Sequence, residues 1–142
     1  MSFDIGDTLA GFQKLKQNII TTTGDLSRGG SDMMIEDAKD ATPVKTGHLK
    51  SSIYAFESRR DGYIWTVKFA PHTIYARQRE LGGVLVPKTQ PYMRFFWEKL
   101  GRWVKFTRVE QQGAHYMLIG ISVAKAAMGD YLAGGWGKGM KI

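Results

Sequence analysis

The segment 53–69 constrains the fold of this chain more than any other. Residues 53–58 predict a strand, and Arg59-Arg60-Asp61-Gly62 follows as a turn that ends in the Asp-Gly pair favoured in β-hairpins. In the return strand every second side chain shares one face: Tyr63, Trp65, Val67 and Phe69. Because that face is almost wholly aromatic or branched, it must pack against another element. An antiparallel hairpin with one buried face is therefore the anchor of the predicted fold.

Two helices are predicted before the hairpin. Residues 3–20 place apolar side chains on one face at helical spacing, and residues 31–42 carry a second apolar stripe that Pro43 ends. Between them, Thr21-Thr22-Thr23-Gly24 predicts a break and Gly29-Gly30 a hinge.

Helices are also predicted after the hairpin. Residues 74–81 predict a short helix, and a short strand at 84–86 follows it. Pro91 is well placed to begin a long amphipathic helix that runs to about Arg108. Residues 114–128 predict a last helix, or a strand followed by a helix. The fold class is therefore α+β, with helices packed against a small antiparallel β-sheet, a helical N-terminal region and a long helix after the sheet.

The chain length and its glycines predict the domain organisation. One core is enough for 142 residues, and no repeat or linker suggests a second domain. We expect a single α+β domain over 1–133. The last segment, 134–142, is so rich in glycine that it predicts a flexible tail without regular structure.

Residue patterns that would support catalysis, a metal or a cofactor do not occur in the sequence. The chain has no cysteine, so thiolate metal sites and cysteine nucleophiles are excluded. His48, His72 and His115 have no metal-ligand spacing, and no glycine-rich segment matches a phosphate-binding loop. No serine has the context of an activated nucleophile, and the acidic residues of the middle segment stand alone. We therefore expect no enzyme activity and no cofactor. The apolar stretch 114–133 contains charged residues, so no membrane partner is expected either.

The charge is concentrated in the middle of the chain. The formal net charge is +7, and residues 47–106 hold 11 basic and 4 acidic side chains. Such an excess points to an anionic partner or an acidic protein surface. The basic residues interleave with aromatic ones, as in a platform for single-stranded nucleic acid, so a nucleic-acid-binding module is an alternative function. The strict alternation in 63–69 favours the other interpretation, in which the aromatic face belongs to the core.

The segment 37–53 carries the most specific pattern in the chain. It contains Thr42-Pro43-Val44-Lys45-Thr46-Gly47-His48-Leu49-Lys50-Ser51-Ser52-Ile53, which resembles the T-P-V-x-T-G-x-L-x-x-S-I signature of a tailed-bacteriophage neck family. Two later blocks agree in order: Tyr75-Ala76 followed by Glu80-Leu81-Gly82-Gly83, and Gln90-Pro91-Tyr92-Met93-Arg94. The family's third block has a proline after its arginine, where this chain has Phe95, and residues 107–142 follow no family pattern.

The resemblance implies a structural virion protein that completes the top of the tail and joins the head to the tail. It implies a homo-oligomeric ring, with six copies as the expected number. On one side the ring would contact head-closure, adaptor or portal-side proteins. On the other side it would contact tail-terminator or tail-tube proteins. Double-stranded DNA would pass through the channel without sequence-specific contacts. A compact domain of this length has a radius of gyration of about 15 Å, so one copy cannot enclose a duplex and a ring can. The implied location is the virion neck, after assembly in the host cytoplasm.

The signature residues are expected to position the fold, and a second set to contact neighbouring subunits. The first set is Thr42, Pro43, Val44, Thr46, Gly47, Leu49, Ser52 and Ile53. The possible subunit-interface set is Tyr75, Glu80, Gly82, Gly83, Pro91, Arg94 and Trp136. Within it, Glu80 is expected to pair with a basic residue of a neighbouring subunit. Rings arise from heterologous contacts, in which one patch meets a different patch on the next copy.

Overall fold

A computed structural model describes residues 5–45 and 47–139, with side chains described up to residue 136. The chain divides into two compact units, which we treat separately. The helical unit is Met1–His72 with Tyr116–Ile142, and the ribbon unit is Thr73–His115. The α+β class is confirmed by a long N-terminal helix, small antiparallel sheets and a long C-terminal helix. The expectation of a single domain over 1–133 stays a prediction.

The elements follow each other along the chain as four α-helices, six strands and one 3-10 turn within the described residues. They are α1 (Ile5–Ala41), α2 (His48–Ser51), β1 (Ile53–Asp61), β2 (Ile64–Pro71), α3 (Ala76–Leu81), β3 (Gly82–Leu85), β4 (Met93–Trp97), a 3-10 turn (Glu98–Leu100), β5 (Arg102–Phe106), β6 (Val109–Gln112) and α4 (Tyr116–Gly139).

Helix α1 is one continuous helix of 37 residues, so the predicted break at Thr21–Gly24 and the hinge at Gly29-Gly30 are wrong. The threonine hydroxyls are accommodated within the helix, since Thr23 Oγ1 donates to the Ile19 carbonyl at 2.7 Å. The glycines serve close packing instead of a bend. A β-carbon at Gly24 would lie 2.8 Å from the Trp65 ring, so the absence of a side chain there lets the indole approach the helix.

Helix α4 runs antiparallel to α1 at very close range. Gly120 of α4 lies against Ala38 near the end of α1, and Gly135 lies against Leu26, twelve residues earlier in α1. A β-carbon at Gly120 would overlap the backbone of Ala38. The structure continues α4 through Gly139, so the prediction that 134–139 holds no regular structure is wrong. Packing of small residues against α1 outweighs the low helix propensity of these glycines.

The hairpin of β1 and β2 is confirmed, but the predicted turn at 59–62 is too long, because Arg59, Arg60 and Asp61 pair within the hairpin as part of β1. The strands pair antiparallel from Ile53 opposite Pro71 to Asp61 opposite Ile64, with an irregularity between Ala55 and Glu57. On the predicted packed face, Trp65, Val67 and Phe69 are half-buried. The fourth member of that face, Tyr63, is exposed. The hairpin lies against α1, which supplies the partner that its aromatic face requires.

The ribbon unit is built from a short helix and two paired strand segments. The predicted short helix is α3, and the predicted short strand is β3. Strand β3 pairs with β6, and β4 pairs with β5 through the turn at Glu98–Leu100. The prediction of a long helix from Pro91 to about Arg108 is therefore wrong. Aromatic residues dense in β4 and β5 favour strands, and Gly101 takes a positive φ of 59° that closes the turn.

The ribbon unit has almost no hydrophobic core. All of its residues are described, and Ala76 is its one fully buried hydrophobic side chain. Twelve large apolar side chains of the unit are exposed: Ile74, Tyr75, Leu81, Val84, Leu85, Val86, Tyr92, Phe95, Phe96, Trp97, Leu100 and Trp103. Two-stranded ribbons are marginally stable in water unless a further layer covers one face. The unit therefore has a surface that is suited to burial against another molecule.

The contact between α1 and α4 predicts opposite effects for two glycines of the same helix. Gly120→Ala should destabilise the chain by about 1–3 kcal/mol, because the new methyl group overlaps the Ala38 backbone. Gly129→Ala should be neutral or stabilise the chain by up to about 1 kcal/mol, since a β-carbon there meets nothing within 4 Å. Urea unfolding followed by circular dichroism measures both changes. Equal effects of the two substitutions would contradict the proposed close packing.

Candidate functional site

The start of the signature segment ends α1. Thr42 is buried, and its Oγ1 donates to the Ala38 carbonyl at 2.7 Å, which satisfies one of the last carbonyls of the helix. Pro43 follows on the surface and cannot continue the helix. Gly47 has a φ of 75° at the start of α2, a conformation that glycine adopts without strain. These residues therefore redirect the chain from α1 toward the hairpin.

The end of the signature segment anchors the chain in the core. Leu49 is 6% exposed and Ile53 is fully buried. Ser52 Oγ donates to the Leu49 carbonyl at 2.8 Å, and the Ser52 carbonyl accepts a hydrogen bond from the His72 amide at 3.1 Å. An ion pair of 3.0 Å between Lys50 and Asp40 also joins this segment to α1.

Two signature residues do not have a described structural role. Thr46 lies outside the described residues. Val44 is 66% exposed, so its place in the pattern is not explained by burial within this chain.

Gly82 and Gly83 line an open groove in the ribbon unit, together with exposed apolar side chains of α3 and β3. The cavity has a volume of about 610 Å³, and its lining includes the cationic residues Arg77 and Lys88. Gly82 has a φ of 73°, and a β-carbon there would overlap the backbone of Gln111 and Gly113. Tyr75 and Glu80 belong to the same short helix region but do not line the groove. The Glu80 carbonyl accepts a hydrogen bond from the His115 amide at 3.1 Å.

Pro91 and Arg94 lie at the beginning of the β4–β5 ribbon. Since Arg94 pairs with Lys105 and Phe96 with Trp103, these four side chains share one face of the ribbon. The Arg94 guanidinium lies 5.2 Å from the Trp103 ring centre, and the Lys105 ammonium lies 4.6 Å from that of Tyr92. Trp103 is nonetheless 61% exposed. This cation–aromatic face was not predicted, because its residues were assigned to a helix.

Trp136 lies in the helical unit, at one end of an open groove between α1, α4 and β2. The cavity has a volume of about 360 Å³. Its lining is mostly apolar and comprises Thr23, Leu26, Ser27, Gly30, Ser31, Met34, Trp65, Val67, Phe69, Met128, Leu132 and Trp136. The predicted interface residues therefore fall into two groups, with Trp136 in the helical unit and the other six in the ribbon unit.

The described residues hold no group of three or more histidine, aspartate or glutamate side chains that could bind a metal ion. His72 stacks on Tyr54 with ring centres 4.1 Å apart, and Phe56 contacts it edge-on. Carboxylates form exposed ion pairs, such as Glu57 with Lys68 at 2.7 Å. Exposed ion pairs of this kind contribute little to stability.

The ribbon unit carries most of the charge excess. It contains eight Lys and Arg residues against three Glu, a net charge of +5. Exposed cations and exposed aromatic rings therefore occur on the same ribbon.

Comparison with known proteins adds no relative to this description. No family model, no curated protein and no solved structure matches the chain. Among the described residues, no helix has the length and apolar character needed to cross a membrane.

Substitutions at buried signature residues should lower the stability of the chain far more than substitutions at exposed ones. Leu49→Ala should destabilise the chain by about 2–5 kcal/mol, because it empties a core position. Val44→Ala should change stability by less than about 0.5 kcal/mol, because the side chain is largely in solvent. Thermal and urea unfolding of the two variants measure this difference. A large loss of stability in Val44→Ala would contradict this distinction.

Proposed function

We propose that this protein is a structural, non-enzymatic component of the neck of a tailed bacteriophage. In this proposal it forms a homo-oligomeric ring, with six copies as the expected number, that joins the head or portal side to the tail and completes the tail top. The signature segment 42–53 motivates the family, and the α+β fold is compatible with it.

The observation that carries the proposal is the amount of apolar surface that the chain leaves uncovered. Twelve large apolar side chains of the ribbon unit are exposed, and the unit fully buries only Ala76 among its hydrophobic residues. Contiguous exposed apolar surface on a folded protein marks a site of association. A subunit whose second unit has almost no core is best explained as a part of a larger assembly, in which neighbouring molecules supply the missing layer.

The charge supports proteins as the main partners of this surface. In the proposed ring, the ribbon unit with its net charge of +5 faces acidic surfaces of head-closure, adaptor, portal-side, tail-terminator or tail-tube proteins. Double-stranded DNA passes through the channel without sequence-specific contacts. A strongly basic channel wall would hold the duplex by phosphate contacts, so we place most of the basic residues away from it.

A basic nucleic-acid-binding module is the second candidate. One observation favours it, namely the exposed ribbon face where Arg94 lies over Trp103 and Lys105 over Tyr92. Exposed aromatic rings beside cations can stack on unpaired bases and contact phosphates. This candidate predicts binding to single strands, and it requires no self-assembly.

Two measurements distinguish the candidates: the mass of the protein in solution, and the salt dependence of its binding to DNA. The neck proposal predicts that the purified chain, alone or with neighbouring phage head and tail proteins, forms a ring detectable by native mass spectrometry and electron microscopy. The nucleic-acid candidate predicts a monomer whose binding to single-stranded DNA weakens steeply as salt is raised. A monomer under all of these conditions with tight, salt-sensitive DNA binding would overturn the neck proposal. A nearby set of portal, capsid and tail genes in the source genome would support it.

Glu80 provides a test of one predicted subunit contact. Glu80→Lys should reduce ring formation at least about tenfold, because it places a positive charge opposite the expected basic partner. The matched control is Asp61→Lys, which makes the same charge change at the exposed end of β1. Sedimentation velocity measures the assembled fraction of each variant. Unchanged assembly of Glu80→Lys would remove this residue from the interface and leave the ring itself untouched.

A further inference from the structure

The first turns of α1 form an apolar helix face that stays exposed among the residues that the structure describes. Ile5, Leu9 and Phe12 are 80%, 59% and 64% exposed. They follow one another at steps of four and three residues, so they lie on one side of the helix. We call residues 5–16 of α1 the overhang.

Helix α4 does not reach the overhang in the part of the chain that the structure describes, which takes it to Gly139. It lies antiparallel to α1 and reaches Leu26 at Gly135. Four further residues to Gly139 advance it by only about 6 Å, to near residue 22 of α1. The apolar face of the overhang is in register with Ser27, Gly30 and Met34, which line the groove beside α4, and Lys16 lies on the same face between them. The overhang is thus the uncovered extension of an established interface.

The groove of the helical unit presents an open and mostly apolar surface to the side chains of such a helix. It has a volume of about 360 Å³ and is lined mostly by apolar side chains from three elements, including Trp65, Leu132 and Trp136. Its α1 side extends from Thr23 to Met34, which spans about 16 Å along the helix axis. The overhang has the same length of about 16 Å. An amphipathic helix binds a groove of this kind through residues at i, i+4 and i+7, the spacing of Ile5, Leu9 and Phe12.

The overhang cannot enter the groove of its own chain. The α1 side of the groove and the overhang are parts of one continuous 37-residue helix. A continuous helix cannot turn back on itself, so the overhang points away from the groove along the same axis. An overhang can therefore enter a groove of this kind only on another copy of the chain.

We propose that the overhang of one copy binds in the groove of a second copy of this chain. The two patches are different, so the contact is heterologous and leaves one free overhang and one free groove on every pair. Such a contact propagates from copy to copy and closes when the rotation between copies completes a ring. The inference rests on the proposed function for its ring geometry, and it names the contact between neighbouring subunits.

Single charges on the two patches test this contact in the full-length chain. Phe12→Glu places a carboxylate in the overhang, and Leu132→Glu places one in the groove. Both residues are exposed in the single chain, Leu132 at 37%, so each variant should keep the circular dichroism spectrum of the wild type. Each should raise the concentration needed for self-assembly at least about tenfold, because a buried unpaired charge costs more than about 1.4 kcal/mol.

Matched controls carry the same charge outside the two patches. Gly11→Glu lies next to Phe12 but off the apolar face, and a β-carbon there meets nothing within 4 Å. Leu118→Glu lies on α4, is 64% exposed and does not line the groove. Both controls should assemble like the wild type. Sedimentation velocity and native mass spectrometry measure all four variants.

A mixture of the two defective variants gives the most specific result. The Leu132→Glu copy keeps a good overhang and the Phe12→Glu copy keeps a good groove, so the mixture should form a complex of two chains and nothing larger.

No complex in the mixture would contradict a head-to-tail contact. A ring that persists in Phe12→Glu would overturn the inference and leave the proposed function intact. A wild-type chain that forms a ring only together with head or tail proteins would also overturn it. A wild-type chain that never forms a ring would overturn the ring of the proposed function itself.

Discussion

The close contact between α1 and α4 is the interaction on which the rest of the helical unit depends. Gly120 lies against the Ala38 backbone, and Gly135 lies against Leu26. At Gly120 the two backbones contact each other directly. Further along, large side chains of one helix lie over glycines of the other, as Met128 lies over Gly30 and Tyr131 over Gly29. The hairpin then packs on α1 through Trp65, which lies over Gly24. The small residues therefore determine where the apolar groove opens, because they place α4 and β2 on either side of α1.

The elements that the sequence predicted well are those whose signals are local. The Asp61-Gly62 pair and the alternation of 63–69 gave the hairpin with nearly correct limits, because a turn and a period of two depend on neighbouring residues. Pro43 gave the end of the first helical region for the same reason. In contrast, Gly24 and Gly30 were interpreted as breaks. Their role in tertiary packing depends on Trp65 and Met128, far away in the sequence, and no local pattern contains that information.

The candidate site was predictable only in part. Gly82 and Gly83 were predicted as subunit-interface residues, and the structure places both, with positive φ values, at an open groove. The segment 91–108 shows why the rest could not be predicted. Tyr92, Phe95, Phe96 and Trp103 satisfy a helical period as well as a strand period, and the strand prevails because Gly101 closes a tight turn. The sequence analysis assigned a helical period to 91–108. That assignment determined which side chains were expected in the core and which on the surface.

The ribbon unit also determines the order in which we expect parts of the chain to fold. Strands β4 and β5 are joined by a four-residue turn, so their pairing closes a very short loop and needs only microseconds. Strand β3 then pairs with β6. This pairing closes a much longer loop, which contains β4 and β5. The contact of α1 with α4 joins residues far apart in the sequence, such as Ala38 and Gly120, and the entropy cost of closing so long a loop makes this contact slow to form. During synthesis the helical unit must therefore wait for the last residues of the chain, while the ribbon tip is already formed and exposed.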